Sequence, residues 1–170
     1  MIKALCFYHP DDDQELRARQ ERELIRLYDA ARTLKRELLI EIIAAKHGPI
    51  TDTTIASVLE RLYSLGIKPD WWKLEAQSQS QAWTNIAKVI EKNDPLCRGI
   101  MLLGLDQPED QLLSAFRHAK SISLVKGFAI GRTIFATPAR EWFSGKINDG
   151  DAIDRMAQSF SRLIKGWEAA

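Results

Sequence analysis

Two cysteines, Cys6 and Cys97, are all that this chain of 170 residues contains. That is too few for a disulfide framework or a four-cysteine zinc site. Both lie in or beside apolar runs, so they are expected as buried, reduced thiols in a cytoplasmic protein. Long hydrophobic runs are missing as well. No segment approaches the length of a membrane span, and no basic region followed by a long apolar stretch opens the chain, so neither membrane anchor nor secretion signal is expected. An excess of one charge is also lacking: 24 basic and 23 acidic residues leave a net charge of +1. Nonspecific nucleic-acid binding needs a basic surplus, so nucleic acid is not expected as a partner. His9, His47 and His118 show no metal-ligand spacing, and the chain has no Walker loop, Rossmann fingerprint or nucleophile elbow. Neither a metal nor a cofactor is expected.

What the chain does have is alternation. Short apolar runs at 2–8, 37–44, 71–75, 99–105 and 123–130 read as strands. Helical patterns separate them at 14–35, after Thr51 or Asp52, at 78–91 and at 108–120. Two more helices, at 138–144 and 149–167, finish the chain. Asp11 to Asp13 can cap the first helix, whose mixed charges read as a solvated face. Such an order implies right-handed βαβ crossovers and an α/β fold with a parallel sheet. Both a doubly wound open sheet and part of a (β/α)8 barrel fit it. In either, ligands bind at the carboxyl ends of the strands, which makes polar residues there the ones to follow.

Lys73 is the first of these. It stands in Trp71-Trp72-Lys73-Leu74-Glu75, where a lysine must reach water or lose its proton in a dry pocket. The second state makes lysine a nucleophile toward carbonyl carbon. Glu41, in Leu38-Leu39-Ile40-Glu41-Ile42-Ile43, is a matching acid/base group. If the second and third strands pair with both charges on one side, the two can serve one reacting carbon. A buried ion pair or a snorkelling lysine fits the same residues. Lys3 has a similar setting near the start of its strand, where exposure is equally compatible. Gly104-Leu105 and Gly131-Arg132 follow the last two strands, and a glycine turn with an arginine fork suits phosphate. An ordinary tight turn with Arg132 paired to an acidic neighbour suits them as well.

Phe7-Tyr8-His9-Pro10-Asp11-Asp12, Glu37 to Glu41, Gly66 to Glu75 and Val125 to Phe135 together resemble the aldolase-like domain of inositol catabolism. That domain is often fused behind 5-dehydro-2-deoxygluconokinase. The strand motifs are also similar, more distantly, to the class I tagatose-bisphosphate aldolases, which are (β/α)8 barrels. The resemblance implies that Lys73 forms a Schiff base, Glu41 shuttles protons and Lys3 is a further site lysine. It implies phosphate binding by Gly104, Leu105, Gly131 and Arg132. It further implies that residues 1–170 are one (β/α) domain equivalent to the fourth to eighth strands of a TIM barrel, an incomplete barrel with two exposed edge strands. The activity so implied is class I cleavage of 2-deoxy-5-keto-D-gluconate 6-phosphate. Expected partners are the phosphorylated sugar, a kinase domain in the same chain or operon, and further copies of the chain covering the edges. A non-catalytic sugar-phosphate-binding module associated with a kinase is the competing reading.

Overall fold

A computed structural model describes residues 1–170. Five strands, β1 (Ile2–Phe7), β2 (Leu38–Ile43), β3 (Trp71–Glu75), β4 (Gly99–Leu103) and β5 (Val125–Ala129), alternate with helices. These are α1 (Gln14–Thr33), α2 (Thr54–Ser64), α3 (Ser80–Asn93), α4 (Glu109–Ala119), α5 (Arg132–Phe143) and α6 (Asp149–Glu168). The strands form one parallel sheet in the order β1-β2-β3-β4-β5. No strand order reverses, so the doubly wound alternative is excluded. Right-handed crossovers that always step the same way place their helices on the same face of the sheet. The result is the arrangement of a (β/α)8 barrel wall, left open because only five strands are present.

Side-chain alternation explains where the core lies. Cys6, Ile40, Ile42, Trp72, Leu74, Ile100 and Leu102 point to the helical face and are buried against Leu59, Leu62, Ile86, Ile90, Leu112 and Phe116. Trp72 is fully buried, and its Nε1 donates to Tyr63 Oη at 2.8 Å, so the indole brings no unpaired donor into the core. Cys6 is buried as expected, whereas Cys97 is only partly buried; desolvation still pushes the Cys6 thiol up to about 12 and the Cys97 thiol up to about 11, which keeps both thiols protonated at neutral pH.

Helix α1 is capped by Asp13, whose carboxylate accepts from the Glu15 and Leu16 amides at 2.8 and 3.2 Å. Its charges are not all a solvated face. Glu21 is buried, accepts from Tyr8 Oη at 2.6 Å and is forked by Arg61 Nε and Nη2 of α2 at 2.9 and 2.8 Å. That ion pair ties the first two helices to each other and to the residue after β1. Helix α5 corrects a second expectation. It begins at Arg132, and Pro138 lies buried in its interior. A proline suggested a helix start, but Thr133 Oγ1 donates to the Gln107 carbonyl at 2.8 Å and fastens the first turn six residues earlier.

The Arg61 fork, foremost, holds the Glu21 pKa below its ordinary value of 4.5. A carboxylate with a lowered folded-state pKa stabilises the fold above its unfolded value and loses that contribution as pH falls through the folded one. Glu21→Gln is therefore expected to cost about 1–2 kcal/mol at pH 7 and to flatten the loss of stability between pH 5 and 3. Urea unfolding across that range checks it; acid limbs of equal slope in wild type and variant would refute it.

Candidate functional site

The sheet face opposite the helices carries the charges. Leu5, Glu41, Lys73, Met101 and Gly127 stand at one level across the five strands, each the register partner of the next. Glu41 and Lys73 are direct partners, so the condition set for the second and third strands, pairing with both charges on one side, is met. Lys73 Nζ lies 3.4 Å from Glu41 Oε2 and Lys3 Nζ lies 2.5 Å from the same oxygen. Glu41 is 6% exposed, Lys73 17% and Lys3 48%, so the carboxylate is dry, one ammonium is half-sheltered and the other reaches water. A single acid thus sits between two cations. The charge surplus is retained rather than cancelled.

This cluster forms the floor of an open cavity of about 440 Å³. Residues from both outer strands, Lys3 and Phe7 of β1 and Ala129 of β5, line it, so the sheet is curled with this face inward. Its rim includes all the turn residues singled out from the sequence, Gly104, Leu105, Gly131 and Arg132. It includes Asp106, which ends the first of those turns, and one charged residue that sequence reasoning passed over, Lys46. Lys46 follows β2 in a loop without a motif, and only tertiary placement identifies it. Four cationic side chains face two carboxylates around the cavity, a field that favours an anionic ligand.

The turns after β4 and β5 work differently from each other. A Cβ on Gly104 would meet Ile130 Cγ1 at 2.8 Å, so the glycine there permits close approach of the two loops. Chain reversal falls instead on Leu105 (φ 46°) and Asp106 (φ 64°), left-handed residues other than glycine. Such backbone is disfavoured and concentrates at functional sites. Gly127, by contrast, has open space around it and is not a point of close approach. Arg132 opens helix α5 and pairs with Asp106 at 3.5 Å, both well exposed. The acidic neighbour anticipated for Arg132 is therefore present, in a loose contact that an anion can displace.

A second network holds the rim above β2. Glu75 is buried, and its carboxylate accepts from the Ala44 amide at 2.8 Å and the Ala45 amide at 3.3 Å. Burial raises the Glu75 pKa against the lowering effect of those two amides. Asp12 Oδ1 contacts His47 Nδ1 at 2.8 Å, and His9 Nε2 contacts the Pro49 carbonyl at 3.1 Å. His9 is buried and is not among the residues lining the cavity. Trp71 shares the Lys73 face but stands at its amino end, among no cavity-lining residues.

Fold and site together define an open, five-stranded section of a (β/α)8 barrel with a cationic cavity on its inner face. The chain belongs to the family described as "uncharacterized protein conserved in bacteria (DUF2090)", which matches residues 1–170. No curated protein matches the chain. Among solved structures it is similar to the fructose-bisphosphate aldolase of Plasmodium falciparum, determined in complex with TRAP and a small-molecule inhibitor. The identity is 15% and the TM-score 0.54, with 86% of this chain and 47% of that one covered. The chain therefore spans about half the length of that aldolase, and the likeness is one of fold. No helix is long and apolar enough to cross a membrane.

Removing Glu41 leaves the sheltered Lys73 ammonium without its carboxylate and with the Lys3 ammonium nearby. Glu41→Leu is expected to destabilise by about 3 kcal/mol, the usual size of a broken buried pair. Lys3→Met, which removes a largely exposed partner, is expected to cost under about 1 kcal/mol. Equal urea midpoints for the two variants would contradict this ordering.

Proposed function

We propose that this domain is an imine-forming, class I aldolase acting on a phosphorylated keto sugar acid. The observation that carries the reading is the pairing of Lys73 and Glu41 at one level of the inner face, within a cationic cavity rimmed by two loops suited to phosphate. Lys73 Nζ adds to the substrate ketone and gives a carbinolamine. Glu41 carries a proton to the carbinolamine oxygen, water leaves and an iminium forms. Loss of the proton from the hydroxyl on the β-carbon then breaks the neighbouring carbon–carbon bond. An aldehyde departs and the electron pair remains as an enamine, which is protonated and hydrolysed from Lys73. Lys3 holds Glu41 in place, and the Gly104-Leu105 and Gly131-Arg132 loops receive the phosphate. Following the resemblance, the substrate is 2-deoxy-5-keto-D-gluconate 6-phosphate. Its products are dihydroxyacetone phosphate and malonate semialdehyde, within inositol catabolism in the cytoplasm.

Treatment with borohydride in the presence of dihydroxyacetone phosphate is expected to attach one three-carbon adduct, found by peptide mass spectrometry on Lys73. Lys73→Ala should abolish it, and an adduct that persists in that variant would remove Lys73 from the mechanism. A second reading has an observation of its own: Glu41 lies closer to Lys3 than to Lys73. In that reading the triad is structural and the domain binds a sugar phosphate without cleaving it, in association with a sugar kinase encoded in the same chain or operon. Binding lost in Arg132→Ala, together with no trapped adduct in the wild type, favours this alternative.

Residues 1–170 are proposed to act as one aldolase-like domain forming five of the eight units of a barrel. Its outer strands are bordered on one side only, and Leu5 and Phe7 of β1 are exposed. Self-association that covers these edges is part of the proposal. Sedimentation velocity at micromolar concentration is expected to show a dimer or larger species, and a monomer at all concentrations would count against it.

A further inference from the structure

Lys46 is the one cation lining the cavity that forms no ion pair. Lys3 and Lys73 share Glu41, and Arg132 is paired with Asp106. Its loop is nevertheless fixed on both sides. Before Lys46, the Ala44 and Ala45 amides are held by the buried Glu75 carboxylate. After it, His47 is held by Asp12 and the Pro49 carbonyl by His9. Gly48 packs so close to the His9 ring that an added Cβ would lie 3.0 Å from it. A lysine backbone braced in this way, with an uncommitted ammonium at the rim of a cavity, is prepared for an anion from outside.

Its position selects which anion. Lys46 follows β2 and Arg132 follows β5, three strand spacings away, or about 14 Å along the sheet and less across its hollow face. Lys73, on β3, lies between those two strands, with Glu41 beside it on β2. An extended six-carbon chain runs about 9 Å from a terminal carboxylate to a phosphorus at the other end. With its phosphate at Arg132, such a chain passes over Lys73 and presents its far end to the side of the cavity where Lys46 stands.

We propose that Lys46 is a specificity residue that binds the terminal carboxylate of an acyclic sugar acid phosphate. The assignment rests on the reading of the cavity as an aldolase site and names the group that recognises the acid end. It makes the domain selective for substrates anionic at both ends over simple sugar phosphates of the same length.

The test compares D-gluconate 6-phosphate with D-glucitol 6-phosphate by titration calorimetry. The two differ at the first carbon, carboxylate against hydroxymethyl, and neither has a ketone, so imine formation does not enter. The wild type is expected to bind the acid about tenfold more tightly, the size of one charge-assisted contact. Lys46→Met should erase that preference and leave glucitol 6-phosphate affinity within about twofold of wild type. Arg132→Met should weaken both probes. An unchanged urea midpoint for Lys46→Met confirms that its loop position tolerates the change. Equal affinities in the wild type, no binding of either probe, or a Lys46→Met variant that weakens both alike would each overturn the assignment. A preserved preference without borohydride trapping on Lys73 would sink the imine mechanism and leave Lys46 standing; trapping without preference would do the reverse.

Discussion

Every feature of this protein depends on a handed connection repeated in one direction. A right-handed βαβ crossover puts its helix on a given side of the sheet, and each crossover here steps to the next strand without reversal. The helices are therefore confined to one face, where Trp72, Ile40, Ile42 and Leu102 provide their apolar contact. The other face is released from packing against helices. It can hold charges, and curvature of the sheet folds those charges around a shared space. A reversal at any strand would have placed a helix over Glu41 and Lys73 and removed the cavity.

Within that space the energetics turn on imbalance. A dry carboxylate with a single lysine would be a closed ion pair, satisfied and inert. Glu41 instead faces two ammonium groups of unequal exposure, and its contact with Lys73 is the longer. Lys73 is thereby kept near a proton-accepting group without being locked to it. The cavity as a whole stays cationic, with four cationic side chains against two carboxylates, a field that favours anions. The remainder of the positive field is carried by rim loops, one strained at Leu105 and Asp106 and the other braced by buried Glu75. Strain and bracing have the same consequence: loop atoms are held where a ligand would meet them rather than where the loop alone would relax.

The barrel wall is open along two edges. Leu5 and Phe7 on β1 are apolar side chains of an inner face that in a closed barrel would meet other strands. The matched aldolase is about twice the length covered by this chain, and its fold similarity extends over most of the chain described here. Under the proposed function, chemistry at the inner face is coupled to cover over these edges, because water reaching the face weakens every electrostatic contact around Glu41.

Local chemistry determined much of this protein before folding is considered. Strand runs such as Leu38 to Ile43 and Trp71 to Glu75, the Asp13 cap and the alternation of the elements are written in residue type and period, because they depend on neighbours along the chain. That Glu41 and Lys73 could face one another was legible as a condition, since period-two alternation fixes which residues share a face once two strands pair, but the pairing of β2 with β3 came from the structure. Tertiary structure alone decided the rest. Strand order separates a barrel wall from a doubly wound sheet, and no local pattern encodes it. The burial of Glu21 depends on Arg61 and Tyr8, which are distant in sequence. The start of α5 at Arg132 rather than at Pro138 depends on a bond from Thr133 to the Gln107 carbonyl. Lys46 has nothing in its own sequence to mark it; its place at the cavity arises because Glu75 of β3 and His9 and Asp12 of the loop after β1, two remote segments, hold its loop. Residue type sets what a side chain can do, and contacts between remote segments set which of those capacities it is positioned to use.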